Sequence, residues 1–224
     1  MSYTKDEIHR KLEAAKQRMR GFYQQGFVNY RGTTTDTKEQ YTEIVAKWLL
    51  DDLKLLRTIP TITRTASYKT PGHNGFIDIE HAQREEDRIA KMMFSQKELP
   101  PLGQVLDYQT PLKDKQADDA GKIDLLTYDG SVLRILELKR PDSQETMLRC
   151  VLEAYTYFQT VDVKKLLNDF GLPAGTEVRA SPLVFHDRYQ HREMKQERPH
   201  LKALMNELGS EPYYVHNYYS VREE

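Results

Sequence analysis

Two carboxylates and one lysine lie around a tight turn in the sequence. Asp124 stands in the segment GKIDLL, and Glu137 and Lys139 stand in the segment RILELKRP. Carboxylates with no cysteine or histidine alongside are hard oxygen ligands, which suit Mg²⁺ or Mn²⁺ better than zinc. A lysine beside them supplies a positive charge that could orient a water molecule or stabilise a phosphorane-like transition state. The residue types therefore indicate metal-assisted chemistry.

A β-hairpin is predicted to bring these three side chains together. Two apolar runs within residues 121–138 are joined by Asp129-Gly130, a strong two-residue turn signal. Because side chains alternate along a strand, Glu137 and Lys139 should point to one face and the neighbouring leucines to the other, helix-covered face. Opposed residues in a hairpin have Cβ atoms roughly 5 Å apart, so the aspartate can lie near the glutamate.

Asp124, twelve intervening residues and Glu137-Leu138-Lys139 resemble the D-x(n)-(D/E)-x-K signature of the PD-(D/E)xK nuclease superfamily, the restriction-endonuclease-like fold. The context is similar as well, with a glutamate-bearing helix before the strands and a Q/E-x-x-x-Y element on the helix after them. The proline that names the motif is absent before the aspartate, which makes the signature less specific. The resemblance covers about residues 81–186.

The helix glutamate of this pattern is either Glu85 or Glu86, on a helix predicted over residues 83–94. Glu86 is preferred because Ile89 and Met93 follow it by three and seven residues, which places it beside the buried stripe of the helix. Glu85 is the close alternative.

The resemblance implies a role for each matched residue. Seven residues take the site positions, namely Glu86, Asp124, Glu137, Leu138 through its main-chain carbonyl, Lys139, Glu153 and Tyr157. Asp124, Glu137 and the Leu138 carbonyl would bind Mg²⁺ or Mn²⁺, and Lys139 would position or activate the attacking water. The helix glutamate would complete the site directly or through a water, and the Glu-x-x-x-Tyr pair would support it. The implied reaction is metal-dependent phosphodiester hydrolysis in nucleic acid, most often DNA.

Other interpretations of the same residues stay open. A Glu-Leu-Lys tripeptide is common, and Glu137 with Lys139 could form a solvated ion pair on an edge strand. An apolar strand would not normally place both charges on one face unless that face forms a site. A second hypothesis is a catalytically inactive nuclease-fold module for nucleic-acid binding or protein assembly, and a third is an unrelated enzyme that uses the same carboxylates.

The periodicity from residue 81 onward predicts an α/β domain of helix, three strands, helix, strand, helix and strand, with a mixed central sheet flanked by helices. The resemblance implies that these elements form the αβββαβ core of the restriction-endonuclease-like fold, in a nuclease-like domain spanning residues 81–224 of this chain. The strands are predicted at 104–112, 121–128, 131–138, 176–185 and 213–219. The later helices are predicted from 141 onward, at 162–169 and at 189–208.

Residues 1–80 form a predicted helical extension of uncertain role. Helices are expected at 4–20 and 37–56, followed by a loop or weak hairpin at 60–80. The apolar face around Trp48 could dock on the nuclease core or on a second subunit, so a homodimer is one of two expected arrangements.

Composition limits the classes of protein that fit. The chain has 224 residues, 33 Lys and Arg against 34 Asp and Glu, and a single cysteine, Cys150. One cysteine excludes a disulfide framework and a multi-cysteine zinc site. The sequence has no membrane-spanning apolar run and no signal peptide, so a cytoplasmic protein is expected. Near-neutral charge argues against histone-like binding by bulk charge, but it allows a polyanion held at one local site.

Several weaker candidates have an ordinary explanation. The basic run 188–202 could contact phosphates or form a solvated helix face, and the tyrosines of 213–219 could stack on bases or pack in the core. The acidic loop 114–119 could lie near a metal or form an exposed turn. Cys150 is expected to be a small core residue. The histidines at 73 and 81 receive no role.

Overall fold

The computed structural model describes residues 2–73, 77–79, 81–82, 84–217 and 220–222. The helices are α1 (Lys5–Ala15), α2 (Tyr41–Asp51), α3 (Glu85–Ser95), α4 (Met147–Thr160), α5 (Val163–Asp169), α6 (Tyr189–Met194) and α7 (Pro199–Leu208). The strands are β1 (Gln104–Pro111), β2 (Lys122–Tyr128), β3 (Val132–Leu138), β4 (Glu177–Phe185), β5 (Tyr213–Asn217) and β6 (Ser220–Arg222). Short 3₁₀ segments at Met19–Gln24, Gly26–Asn29 and Leu53–Thr58 complete the extension.

The strands form one open, mixed sheet in the order β1-β2-β3-β4-β5-β6. The first three strands are antiparallel, β3, β4 and β5 run parallel, and β6 pairs antiparallel with β5. Helices flank the sheet, so the predicted α/β class and mixed sheet are confirmed. The predicted hairpin is present as β2 and β3, in which Leu125 lies opposite Leu136. The predicted two-residue turn is wrong in length, because residues 129–131 connect the two strands.

Strand β3 is buried on both faces, which explains its apolar composition. Leu133 and Ile135 face the larger hydrophobic cluster, which includes side chains of α4. Leu136 and Leu138 face a second cluster built with Ile89 and other side chains of α3. The predicted alternation is therefore correct, and it leaves Glu137 and Lys139 on the α4 side of the sheet, at the carboxyl end of the strand.

The extension packs on the rest of the chain. Side chains of α1 and α2 belong to the same large hydrophobic cluster as those of α4, and α2 lies against α7. Trp48 stacks on Phe22 with ring centroids 5.8 Å apart, and its indole N–H donates to Glu13 at 2.8 Å. The apolar helix therefore docks on the core of its own chain, one of the two expected arrangements.

Some predicted boundaries are wrong for identifiable reasons. The single helix expected at 189–208 is two helices, because Pro199 lacks an N–H and suits the first turn of a new helix. The helix expected from residue 141 begins at Met147, where Thr146 caps it by accepting the N–H of Arg149. The helix expected from residue 37 begins at Tyr41. Gln83, Tyr218 and Tyr219 lie outside the described residues, and no described helix is long and apolar enough to cross a membrane.

Candidate active site

An open cleft of about 900 Å³ lies along the edge of the sheet where β3 ends. Six predicted side chains line it, namely Glu86, Asp124, Glu137, Lys139, Glu153 and Tyr157. They come from α3, β2, β3 and its end, and α4, so the fold brings together residues separated by up to 71 positions in the chain. Leu138 packs its side chain in the core and offers only its main chain to this edge.

The Lys139 ammonium is the centre of a buried ion cluster. Its Nζ lies 2.7 Å from Glu137 Oε1, 2.9 Å from Glu145 Oε2 and 2.8 Å from Glu153 Oε2. Burial alone would lower the pKa of Lys139, but the surrounding Glu137 and Glu153 raise it well above its ordinary value. Lys139 therefore keeps its proton at neutral pH and acts as a cation and hydrogen-bond donor.

One oxygen of Glu137 has no partner among the described residues. Its Oε1 accepts from Lys139, whereas its buried Oε2 accepts no hydrogen bond from any described residue. Burial raises the pKa of Glu137 well above its ordinary value, and the negative charges of Asp124 and Glu153 add to the rise. A buried, unsatisfied carboxylate oxygen is costly, and a cation is the kind of group that would relieve this cost.

Asp124 is fixed by two hydrogen bonds. Its Oδ2 accepts the main-chain N–H of Leu138 at 2.9 Å, and its Oδ1 accepts the side-chain amide of Gln109 at 2.7 Å. The N–H and C=O of one residue in a strand point toward the same neighbouring strand, so the Leu138 carbonyl faces the Asp124 side as well. Burial raises the pKa of Asp124 to about 7, and the nearby Glu86 and Glu153 add to this effect.

The two candidate helix glutamates have different surroundings. Glu86 lines the cleft, and its Oε1 lies 3.4 Å from the main-chain nitrogen of Arg140, immediately after the motif lysine. Glu85 lies outside the cleft lining, and its carboxylate is 3.8 Å from Arg88 one turn along α3. The placement favours Glu86 as the helix glutamate of the pattern.

Helix α4 presents Glu153 and Tyr157 one turn apart. The Tyr157 hydroxyl donates to Glu153 Oε1 at 3.1 Å, while the other carboxylate oxygen holds Lys139. Burial raises the pKa of the Tyr157 hydroxyl, so it stays a donor. Gly121 makes this arrangement possible, because a β-carbon at that position would lie 2.5 Å from the tyrosine oxygen. Tyr157 therefore packs directly against Gly121, the residue before β2.

Sequence reasoning missed Glu145, Arg149 and Gln109. Glu145 lies two residues before α4 and contacts Lys139, and its Oε1 lies 2.8 Å from Nε of Arg149, four residues along the chain. That spacing was the available signal. Gln109 gave no signal, because its role depends on cross-strand register and on an unusual backbone φ of 49°.

His73 was also missed. Its Nδ1 is hydrogen-bonded to Asp107, which is buried, and its ring stacks on Tyr108 with centroids 3.8 Å apart. Asp107 accepts in addition from the hydroxyls of Thr70 and Thr110, at 3.2 Å and 3.0 Å. These contacts hold His73 in the cleft lining, and no local sequence pattern predicts them.

Charge in the cleft is segregated. Five carboxylates gather around the end of β3, namely Glu86, Asp124, Glu137, Glu145 and Glu153, and Lys139 and Arg149 offset only two of them. The exposed cations Arg84, Lys113 and Lys122 also line the opening. An acidic floor under a basic opening fits a cation below and an anionic ligand above.

Glu137, Glu145 and Glu153 each contact the Lys139 ammonium, but the carboxylates of the predicted metal site lie farther apart from one another. Within the described residues, Glu86, Asp124 and Glu137 do not form a set of oxygens that all lie within 4.8 Å of each other. Joint binding of one cation therefore requires side-chain movement, for which Glu137 Oε2 and the Gln109 amide are the evident points of adjustment.

The weaker candidates mostly have structural roles. Tyr213 and Tyr214 are buried at the start of β5, and Cys150 is fully buried in α4, as core packing predicts. In the acidic loop, Asp118 accepts the N–H groups of Asp114 and Lys115 and so closes a turn. The basic run is divided between α6 and α7.

Comparison with known proteins identifies no family for this chain. No family model, no curated protein and no solved structure matches it. The residues of the cleft therefore carry the functional argument.

Proposed function

We propose that this chain is a metal-dependent nuclease of the restriction-endonuclease-like fold that hydrolyses phosphodiester bonds, with DNA as the expected substrate. The observation that carries the proposal is the buried Oε2 of Glu137, which has no hydrogen-bond partner among the described residues and lies next to Asp124 and Lys139 on the floor of an open cleft. The order α3-β1-β2-β3-α4-β4 also agrees with the αβββαβ core that the sequence motif implies, apart from the short α5 inserted before β4.

The residues of the floor fit a hard divalent cation. Asp124, Glu137 and the Leu138 carbonyl would hold Mg²⁺ or Mn²⁺, since all three donate oxygen and the cluster retains excess negative charge. When bound, such an ion supplies positive charge to the transferring phosphate and lowers the pKa of an attacking water. The unsatisfied Glu137 oxygen supports this assignment independently of the motif.

The remaining residues position charge and protons. Lys139 Nζ keeps its proton, so it would donate a hydrogen bond to a water or a phosphate oxygen and stabilise negative charge there. Glu153 holds the lysine, and Tyr157 in turn holds Glu153, so these two residues orient the donor. Glu86, partly buried in the cleft lining, has a carboxylate that could accept a proton from water.

The opening of the cleft supports a polyanionic substrate. Arg84, Lys113 and Lys122 are exposed and lie on its lining, where they could contact backbone phosphates on either side of the bond to be cut. Because these contacts are electrostatic, we expect the affinity for DNA to fall steeply with salt concentration. They carry no sequence information.

Cleavage assays test the proposal directly. The purified protein is incubated with supercoiled, linear and single-stranded DNA and with RNA, in Mg²⁺, in Mn²⁺ and in EDTA. We expect metal-dependent cleavage that Asp124→Asn, Glu137→Gln and Lys139→Ala each reduce by at least about a hundredfold. Glu86→Gln should also reduce cleavage, whereas the neighbouring Glu85→Gln is the matched control and should leave it unchanged. Wild-type protein that is inert on all substrates, or variants as active as wild type, would contradict the proposal.

A non-catalytic module with this fold is the second candidate. Its specific support is that both oxygens of Asp124 already accept hydrogen bonds and that three carboxylates contact Lys139. Calorimetry with Mn²⁺ separates the two functions. The nuclease predicts saturable heat that Asp124→Asn abolishes, and the binding module predicts DNA binding without such heat.

A further inference from the structure

Three of the seven histidines converge away from the carboxylate cleft. His186 follows β4, His191 lies on α6 and His216 lies on β5. The ring of His186 is 4.2 Å from the ring of His191 and 4.2 Å from the ring of His216, measured between centroids. None of the three lines the cleft that contains Asp124.

Asp187 joins this group through its carboxylate. Its Oδ2 lies 3.2 Å from His186 Nδ1, and its Oδ1 lies 3.5 Å from His191 Nδ1. One ligand atom from each of His186, Asp187 and His191 lies within 4.8 Å of the other two. Asp187 has a φ of 54°, a left-handed backbone conformation that aspartate tolerates better than most residues and that turns the chain back toward α6.

The fold places the group at a favourable position for a ligand. Strands β3, β4 and β5 are parallel, and the histidines lie at the carboxyl ends of β4 and β5, where open α/β sheets commonly bind ligands. The register sets Phe185 beside Val215, so His186 and His216 follow on adjacent strands. His191 is buried beneath them.

We propose that His186, Asp187 and His191 form a binding site for a transition metal of the Zn²⁺ class, with His216 stacked on His186 beside it. Imidazole nitrogens with one carboxylate suit zinc and its neighbours, in contrast to the all-oxygen floor of the cleft. The Nδ1 of His191 accepts the Asp187 N–H at 2.9 Å. A metal that binds Nδ1 would replace this hydrogen bond. Otherwise the metal would bind Nε2 of His191.

A metal here would brace α6 against the sheet, with a consequence for the cleft. On α6, Gln190 donates to the Glu145 carbonyl at 2.8 Å, and Glu193 accepts the Met147 N–H at 2.7 Å. These contacts position the start of α4 and Glu145, whose carboxylate contacts Lys139. The site itself does not depend on nuclease activity, because its ligands and its expected metal are different.

Cobalt titration of EDTA-treated protein tests the site, since Co²⁺ in a histidine and carboxylate environment gives visible d–d bands. We expect roughly one equivalent to produce these bands and Zn²⁺ to abolish them. His186→Ala and Asp187→Ala should weaken Co²⁺ binding by about tenfold or more. These two residues are chosen because their side chains are 26% and 74% exposed, so their replacement should leave the fold intact.

Two controls separate this site from other metal binding. His200→Ala removes a histidine that pairs with Glu43, and it should leave Co²⁺ affinity unchanged. Asp124→Asn should also leave it unchanged, which would distinguish the site from the carboxylate cleft. The proposal is overturned if no saturable Co²⁺ or Zn²⁺ binding occurs, if Asp124→Asn abolishes it, or if neither His186→Ala nor Asp187→Ala weakens it.

Discussion

Lys139, at the end of β3, lies 2.8 Å from Glu153 on α4, and this contact ties the sheet to the helix across the floor of the cleft. Glu137 and Glu145 contact the same ammonium. A cluster of this kind is weak evidence for net stability, yet removal of its one central cation is costly because several buried charges then lose their partner.

Lys139→Ala should therefore destabilise the protein as well as inactivate it. In EDTA we expect the free energy of unfolding to fall by about 3–5 kcal/mol, measured by urea denaturation. Lys165→Ala is the control, because Lys165 pairs with Asp169 four residues away on a more exposed surface and should cost about 0.5 kcal/mol. Equal losses of unfolding free energy in the two variants would show that the buried cluster contributes no more to stability than the more exposed ion pair does.

Stability should depend on pH through Asp124. Its pKa is raised to about 7, whereas the unfolded chain releases this proton near pH 4. Between these values the folded state binds more protons than the unfolded state, so the free energy of unfolding should decrease as pH rises. Glu137 acts in the same direction, because its pKa is also raised.

Urea denaturation in EDTA from about pH 5 to 8 measures this slope, and Asp124→Asn should make it shallower. Stabilisation by added Mg²⁺ should show the opposite trend and increase with pH, because metal binding requires ionised carboxylates. If wild type and Asp124→Asn show the same pH dependence of the unfolding free energy, Asp124 does not cause it.

The sequence predicted the part of the site that depends on local pattern. Alternation along β3 places Glu137 and Lys139 on one face, and the turn at Asp129-Gly130 fixes the hairpin that carries Asp124. The helix stripe that contains Ile89 favoured Glu86 over its neighbour, in agreement with their placement.

The rest of the site depends on tertiary contacts that no local pattern reports. Gln109 reaches Asp124 through cross-strand register and a positive φ, and His73 reaches the cleft through a hydrogen bond to Asp107, 34 residues away. The break between α6 and α7 could have been predicted from Pro199, because a proline inside a helix costs a backbone hydrogen bond. The histidine group joins three elements, so the spacing of its members gave no ligand pattern.

Gly121→Ala should disturb the cleft through Tyr157. A β-carbon there would lie 2.5 Å from the tyrosine hydroxyl oxygen, so the ring must move and its hydrogen bond to Glu153 must weaken. We expect a loss of about 1–3 kcal/mol in the free energy of unfolding, and we expect reduced cleavage. Gly175→Ala is the matched control, because a β-carbon at that position would have no atom of the described residues within 4 Å apart from its chain neighbours. If both alanines behave alike, the close contact does not limit the site.

The extension should prove to be part of the same folding unit as the cleft. Asn29 Oδ1 accepts the main-chain N–H of Thr146 at 2.7 Å, and the Thr146 hydroxyl donates to the Val28 carbonyl at 2.8 Å. The residue that caps α4 is thus held by the extension, and Glu145 precedes it directly. Asn29→Ala leaves a part-buried N–H without its acceptor, so we expect a loss of about 1–3 kcal/mol by urea denaturation, in one transition. Asn168→Ala, at an exposed position on α5, should change stability by less than about 0.5 kcal/mol. Two separate transitions, or an Asn29→Ala variant as stable as the control, would mean that the extension folds independently of the cleft.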